Sequence, residues 1–196
     1  MAIMLHPTRL TGLCSTTLLA GCVALHAPLE RDDSYPNGWP EPVALSDQCH
    51  GLAGTYSSVG ISIRPDGTES PISLFATLNL KSAASSVSLE VVTRRVDNKG
   101  DTFSTLIVKP GDDPSARHEI ASCYCVRRTL VCTQLGETYW RVNNLGFGGR
   151  QSNIYINTAA DDSLILRLQN YRVDVVLGVP LFRNAEPWAR FVPVLP

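Results

Sequence analysis

Apolar and polar residues alternate with a period of two in one segment after another from about Cys49 to the end of the chain. In the clearest segment, Tyr171 and Val173 fall on one face of a strand and Arg172 and Asp174 on the other. This alternation is typical of β-strands that bury one face. The predicted strands are Thr55–Ile63, Val87–Val96, Thr102–Val108, Glu119–Val126, Leu130–Leu135, Tyr139–Asn144, Ser152–Asn157, Leu164–Gln169, Tyr171–Val179 and Trp188–Val194.

Short turn signals separate these segments, among them Pro65-Asp66-Gly67, Gly146 to Gly149 and Asp161-Asp162. Neighbouring strands joined by short turns favour antiparallel pairing. The pattern therefore predicts an all-β fold, an antiparallel meander that forms a small barrel or a sandwich.

One helix is predicted over Pro71–Leu80. Ser70 suits the N-cap, proline suits the first helical position, and Ile72, Phe75 and Leu78 are spaced for one helical face. The first half of the same segment also fits the alternation of a strand.

The first residues of the chain have the build of a secretory signal: one arginine, a short apolar core and small residues before a cysteine. The apolar core is about ten residues long, half of the roughly 20 that a helix needs to cross a bilayer. Leu19-Ala20-Gly21-Cys22 resembles the lipobox of bacterial lipoproteins. The resemblance implies a signal peptide over residues 1–21 and a mature chain that starts at Cys22, with lipid on its thiol and on its amine.

Val23 follows Cys22, and by the same resemblance the absence of an aspartate there favours the outer membrane, with the domain facing the periplasm. Residues 22–48 carry four prolines and no apolar periodicity and are predicted to be an extended tether. A flexible chain of about 26 residues reaches roughly 28 Å, which would hold a β-domain over residues 49–196 clear of the lipid. Trp39 would either bind a partner or fold back onto that domain.

Gly54-Thr55-Tyr56 opens the first predicted strand of the domain, and the last contains Trp188 and Arg190. These residues are similar to those of the lipocalin-like calycins, whose first strand begins with glycine, any residue and an aromatic, and whose last strand supplies a packing arginine. The resemblance covers about six residues. It implies the architecture of a small barrel.

Four cysteines remain in the mature domain, and four thiols allow three disulfide pairings. They are Cys49, Cys123, Cys125 and Cys132. Export favours disulfides. If the hairpin turn centres on residues 128–129, Cys125 lies opposite Cys132 and within disulfide reach. Cys123 is then left for Cys49, so we predict the pairs Cys125–Cys132 and Cys49–Cys123.

A metal site is the alternative use of these thiols, because His50 adjoins Cys49 and His118 lies five residues before Cys123. Zinc sites usually have two to four residues between paired ligands, and Cys123 and Cys125 have one. Disulfides are therefore favoured, and neither a metal nor another cofactor is predicted.

No arrangement of residues that is specific for catalysis is found in the sequence. His118-Glu119 lacks the second histidine of a metalloprotease helix, and Asp47 with His50 is a combination that many chains offer by chance. The mature chain has a formal charge of −2 over 175 residues, which argues against binding to nucleic acid.

Two kinds of function remain. The first is a lipid-anchored envelope protein without catalysis, whose partners are the membrane, through the N-terminal lipid, and another envelope component or an apolar small molecule bound in the mouth of the domain. The second is an envelope hydrolase whose site is assembled from scattered residues, with His50 or His118 as the base.

Overall fold

A computed structural model describes residues 34–96, 102–113, 115–141, 146–176 and 179–194. These contain twelve strands, one short α-helix and one 3-10 turn, which confirms the all-β prediction. The strands are β1 (Pro42–Val43), β2 (Gly54–Ser57), β3 (Val59–Ile63), β4 (Glu69–Ser73), β5 (Ser86–Val96), β6 (Thr102–Pro110), β7 (His118–Val126), β8 (Thr129–Arg141), β9 (Gly146–Ala159), β10 (Leu164–Val176), β11 (Val179–Ala185) and β12 (Trp188–Phe191). The 3-10 turn is His50–Leu52, and α1 is Leu74–Thr77.

The strands form one antiparallel sheet in the order β2-β5-β6-β7-β8-β9-β10-β12-β3-β4. β2 and β3 form a single strand bent at Ser58, so that β2 pairs with β5 whereas β3 pairs with β12. Backbone hydrogen bonds from Ser57 to Val192 (2.9 Å) and from Val194 to Thr55 (2.8 Å) join the chain after β12 to β2. The sheet therefore curls into a barrel whose two sides meet at these bonds.

The main core lies inside this barrel. Most inward side chains of the paired strands are apolar and buried, as at Leu164 and Leu166 of β10. Leu52 of the 3-10 turn enters the core near the start of β2, and Leu74 and Phe75 of α1 enter it near Ser58. Side chains thus fill the interior that the described residues enclose.

A second, smaller cluster lies on the outside of the barrel, where residues 34–45 cross β9, β10 and β12. Tyr35 is 4% exposed and packs edge-on against Trp188, with 4.9 Å between ring centroids. Further along, Leu45 exchanges hydrogen bonds with Arg128. We call residues 34–45 the strap.

The strap corrects the predicted tether over residues 22–48, because residues 34–45 of that segment pack on the domain and β1 pairs with β9. Trp39 packs against the outer cluster, as the alternative of folding back predicted. Residues 1–33, which include the predicted signal peptide and Cys22, lie outside the described part of the chain.

The predicted helix over Pro71–Leu80 is wrong in its first half. Pro71 lies in β4, opposite Ile61 of β3, and the helix itself covers only Leu74–Thr77. Ser73 accepts a hydrogen bond from the backbone of Ala76 and so takes the capping role. Pairing with β3 holds this segment extended, and a tertiary contact therefore overrides the local helical signal.

Several predicted strand limits also change. Leu130–Leu135 and the described part of Tyr139–Asn144, residues 139–141, merge into β8, whose register with β9 shifts between Leu135 and Thr138. Residues 142–144 of that prediction lie outside the described residues. The turn predicted at residues 146–149 falls inside β9, and β11 was not predicted as a separate strand. Gly146 to Gly149 pair with β10 as well as with β8, and this pairing with two neighbours keeps the glycine-rich segment extended.

All four cysteines of the domain form disulfides, but the predicted pairing is wrong. The bonds are Cys49–Cys125 and Cys123–Cys132. The β7–β8 turn is made by residues 127 and 128, both with positive φ, one position earlier than predicted. Moving the turn by one residue changes every opposed pair, so that Cys123 faces Cys132 at a Cα separation of 4.1 Å.

Candidate binding groove

One recess among the described residues lies on the outside of the barrel, over β3 and its two neighbours. It encloses about 500 Å³, within the range typical of ligand sites. Its lining is mostly apolar and comprises Trp39, Val59, Gly60, Ile61, Glu69, Ser70, Pro71, Arg190 and Val192. We call this recess the β3 groove.

The apolar side chains of the β3 groove are unusually exposed. Val59 is 60% exposed, Ile61 51% and Val192 52%. Ile61 lies at the centre, with Pro71 of β4 opposite it on one side and Arg190 of β12 on the other. Single exposed aliphatic residues are ordinary, but several that line one recess are typical of a contact surface.

The orientation of β3 explains this exposure. Gly60 and Ser62 occupy the inward positions that apolar residues would normally fill, so Val59 and Ile61 point outward. At Gly60 an added Cβ would come within 2.2 Å of the Arg190 carbonyl oxygen and 2.6 Å of the Phe191 ring. Glycine therefore lets β3 lie close to β12, and this close approach fixes the floor of the groove.

β4 forms one wall of the groove. Among the described strands it pairs with β3 alone. Pro71 in its centre has no backbone N–H to offer another strand. Proline on an edge strand discourages the addition of a further strand. The groove is thus better suited to side-chain contacts on its face than to extension of the sheet at its edge.

Arg190 supplies the positive charge of the groove, and it is already held by neighbours. Its guanidinium donates to Ser163 Oγ (3.1 Å) and to the carboxylate of Asp161. Partial burial acts to raise the pKa of Asp161, but hydrogen bonds from Ser163 and Arg190 outweigh it and lower that pKa. Because Arg190 is neutralised by Asp161, the groove presents no strong positive field to a ligand.

The outer cluster fixes the strap beside the groove. Trp188 Nε1 donates to Ser34 Oγ at 3.0 Å, and Arg167 lies over the Trp188 ring at 5.2 Å from its centroid. Arg167 also pairs with Glu186, with 2.6 Å between nitrogen and oxygen. These contacts hold Trp39 at the rim of the groove through its edge-on packing with Tyr35.

The residues considered for catalysis are not brought together. His50 shares a hydrogen bond of 2.8 Å with the side chain of Gln48, and Asp47 lies 3.8 Å from Arg128. His118 begins β7 opposite Val108, whereas the 3-10 turn that carries His50 is tied by Cys49 to the other end of β7. The two histidines therefore lie at opposite ends of a nine-residue strand.

The disulfides remove the metal alternative for the four thiols, since a cysteine in a disulfide has no thiolate to offer. Across the described residues, no group of three histidine, cysteine or acidic side chains is placed to hold a metal ion. Nor does any helix there have the length and apolar character needed to cross a bilayer.

The residues that carry the calycin resemblance lie on β2 and β12. Tyr56 is buried in the core from β2, and its hydroxyl donates to Leu52 O at 3.4 Å. Burial raises the pKa of this hydroxyl, and the nearby Asp162 raises it further. Trp188 and Arg190 both lie on β12 and extend outward, to the strap and to the groove.

Sequence reasoning identified two residues of the groove, Trp39 as either a partner anchor or a residue folded back onto the domain, and Arg190 as a packing residue. It missed Val59, Ile61 and Val192, because it assigned the apolar face of each strand to the interior. The alternation along the strand offered a signal, because every second residue lies on the same face. Tyr56 points inward, so Gly60, four residues later, also points inward, and Val59 and Ile61 lie on the outer face. Comparison with protein-family models, with curated proteins and with solved structures found no match to this chain.

Proposed function

We propose that this protein is a lipid-anchored component of the bacterial cell envelope that acts by binding, through the β3 groove, and not by catalysis. The observation that carries the proposal is the outward-facing apolar floor of the groove, Val59 and Ile61, each more than half exposed. Burying such side chains against a partner contributes about 25 cal/mol per Å² of apolar surface.

The proposal moves the binding site from the mouth of the barrel to its outer face. The mouth was the expected place for an apolar ligand, but the described interior is filled by Leu52, Leu74 and Phe75. A ligand there would have to displace close-packed side chains, whereas the groove is open to solvent.

The export and anchoring of the chain rest on the lipobox resemblance of Leu19-Ala20-Gly21-Cys22. The two disulfides support an oxidising compartment, since such bonds persist in exported proteins. We assign the protein to the outer membrane with its domain in the periplasm, and Cys22 to the lipid.

Anchoring is tested with Cys22→Ser. The variant is expected to stay unprocessed or to leave the membrane fraction, measured by intact mass and by fractionation. An unchanged mass and unchanged membrane association would remove the anchor from the proposal.

Binding through the groove is tested by cross-linking in intact cells, with the parent, a Val59→Asp/Ile61→Asp variant and Tyr124→Asp. Tyr124 is 36% exposed on β7, on the far side of the barrel, and serves as the matched control. Cross-linked products, with lipid or with protein, are expected to disappear only in the groove variant. Products that persist in a folded, anchored groove variant would refute the proposal.

The hydrolase alternative is tested with His50→Ala/His118→Ala. Loss of an envelope phenotype of the parent in this variant, if it is folded and anchored, would favour the hydrolase.

A further inference from the structure

The packed strap shortens the connection between the anchor and the domain. Cys22 lies twelve residues before Ser34, the first residue of the strap. Even fully extended, twelve residues span at most about 43 Å. A domain of roughly 160 residues has a diameter of about 40 Å. A chain anchored at Cys22 therefore cannot move the strap further from the lipid than about one domain diameter.

The chain enters the domain beside the β3 groove. Ser34 accepts a hydrogen bond from Trp188, which lies two residues before Arg190 on the same outward face of β12. Five residues after Ser34, Trp39 lines the groove itself. The chain that leads from the anchor thus enters the domain on the face that carries the groove.

The chemistry of this face suits a lipid surface. Val59, Ile61 and Val192 are aliphatic and more than half exposed, and Trp39 at the rim is the residue type that settles at membrane interfaces. Arg190 is paired with Asp161, and Glu69 is the other charged residue of the lining, so the face has no excess of positive charge that would call for an anionic partner.

We propose that the β3 groove rests on the bilayer, with Trp39, Val59 and Ile61 inserted at the boundary between headgroups and acyl chains. This inference rests on the proposed function, and it names the lipid surface as the envelope component that the groove binds. A few aliphatic side chains give weak affinity alone, but the covalent anchor makes the contact intramolecular and raises the effective concentration of lipid to about millimolar or more.

The test uses the full mature protein, purified with its lipid from the envelope and reconstituted into vesicles of phosphatidylethanolamine and phosphatidylglycerol. A series of vesicles carries bromine on the acyl chains, which quenches tryptophan fluorescence on contact. Trp140, the third tryptophan of the chain, is replaced by phenylalanine in every protein of the series. Trp39 is expected to be quenched, whereas Trp188 is only 1% exposed and is shielded by the protein. The Trp39→Phe variant should therefore lose at least half of the quenching of the parent.

The Val59→Asp/Ile61→Asp variant should reduce quenching by about fivefold or more, because two charges would enter the apolar boundary. Tyr124→Asp should quench like the parent, and circular dichroism checks the fold of each variant. Equal quenching in the parent and in Trp39→Phe, or no effect of the two aspartates, would overturn the inference. If the parent is not quenched although the same aspartates abolish cross-linked products in cells, the groove binds a protein and only the membrane inference fails.

Discussion

The two disulfides close loops of very different length, and this difference predicts how much each one stabilises the domain. Cys49–Cys125 joins residues 76 positions apart, whereas Cys123–Cys132 joins residues nine apart. In the chain-entropy treatment, a cross-link stabilises by restricting the unfolded chain, and the effect grows with the logarithm of the loop. For these separations it gives about 4.5 kcal/mol for the long loop and about 2.6 kcal/mol for the short one at 25 °C.

The perturbation is removal of each bond in turn, as Cys49→Ala/Cys125→Ala and as Cys123→Ala/Cys132→Ala. Urea unfolding followed by fluorescence measures the free energy of unfolding of each variant. We expect the first variant to lose about 2 kcal/mol more than the second, by the difference of the two loop terms. Each variant should contain no free thiol in the domain, because each change removes both partners of one bond.

A larger loss for Cys123→Ala/Cys132→Ala would refute the entropic reasoning. Two alkylatable thiols in either variant would refute the pairing itself. Peptide mapping of the unreduced parent gives an independent check if the chain is cleaved after Tyr124, between Cys123 and Cys125, because only the observed pairing then joins the peptide of Cys49 to that of Cys125.

Three further predictions concern the strap, the β7–β8 turn and the groove. Tyr35→Ala should lower the free energy of unfolding, measured in urea, by about 3 kcal/mol, because the buried ring of Tyr35 would no longer pack against Trp188. No change would mean that the strap is a free tether. Arg127→Asn should raise it by about 0.5 kcal/mol, because asparagine tolerates the positive φ of 47° better than arginine does; a lower urea midpoint would count against this turn. Asp161 has a lowered folded pKa, so its bond to Arg190 stabilises the domain above pH about 4, the unfolded value, and the stabilisation is lost as the pH falls through the folded value. The difference in urea midpoint between the parent and Asp161→Asn should therefore shrink from pH 5 to pH 3. A constant difference would contradict this role of the bond between Asp161 and Arg190.

The local pattern of the chain predicted most of its secondary structure. Period-two alternation identified most of the strands, and turn residues such as Asp66-Gly67 located the breaks between them. Both signals act over a few residues, through side-chain direction and allowed φ values, so they can be recognised in the sequence alone. The use of all four domain cysteines in disulfides was likewise predictable from their number and setting.

The register of the β7–β8 hairpin depended on a conformational choice that the alternation does not encode. Turns at residues 127–128 and at residues 128–129 both agree with the apolar pattern, yet they give different opposed pairs. Arginine is an uncommon residue at positive φ, so the local signal pointed away from the observed turn. The bond between Cys49 and Cys125 and the contacts of Leu45 with Arg128 hold the hairpin in this register.

Long-range packing alone determined the candidate site. Trp188 meets Ser34 across 154 residues of sequence, and the strap could not be recognised before β12 was placed beside it. The outward face of β3 depends in the same way on the close approach of Gly60 to β12. An alternating sequence specifies that a strand has two faces, but which face is buried depends on the neighbours that the barrel brings to it, and for Val59 and Ile61 those neighbours leave the apolar face open.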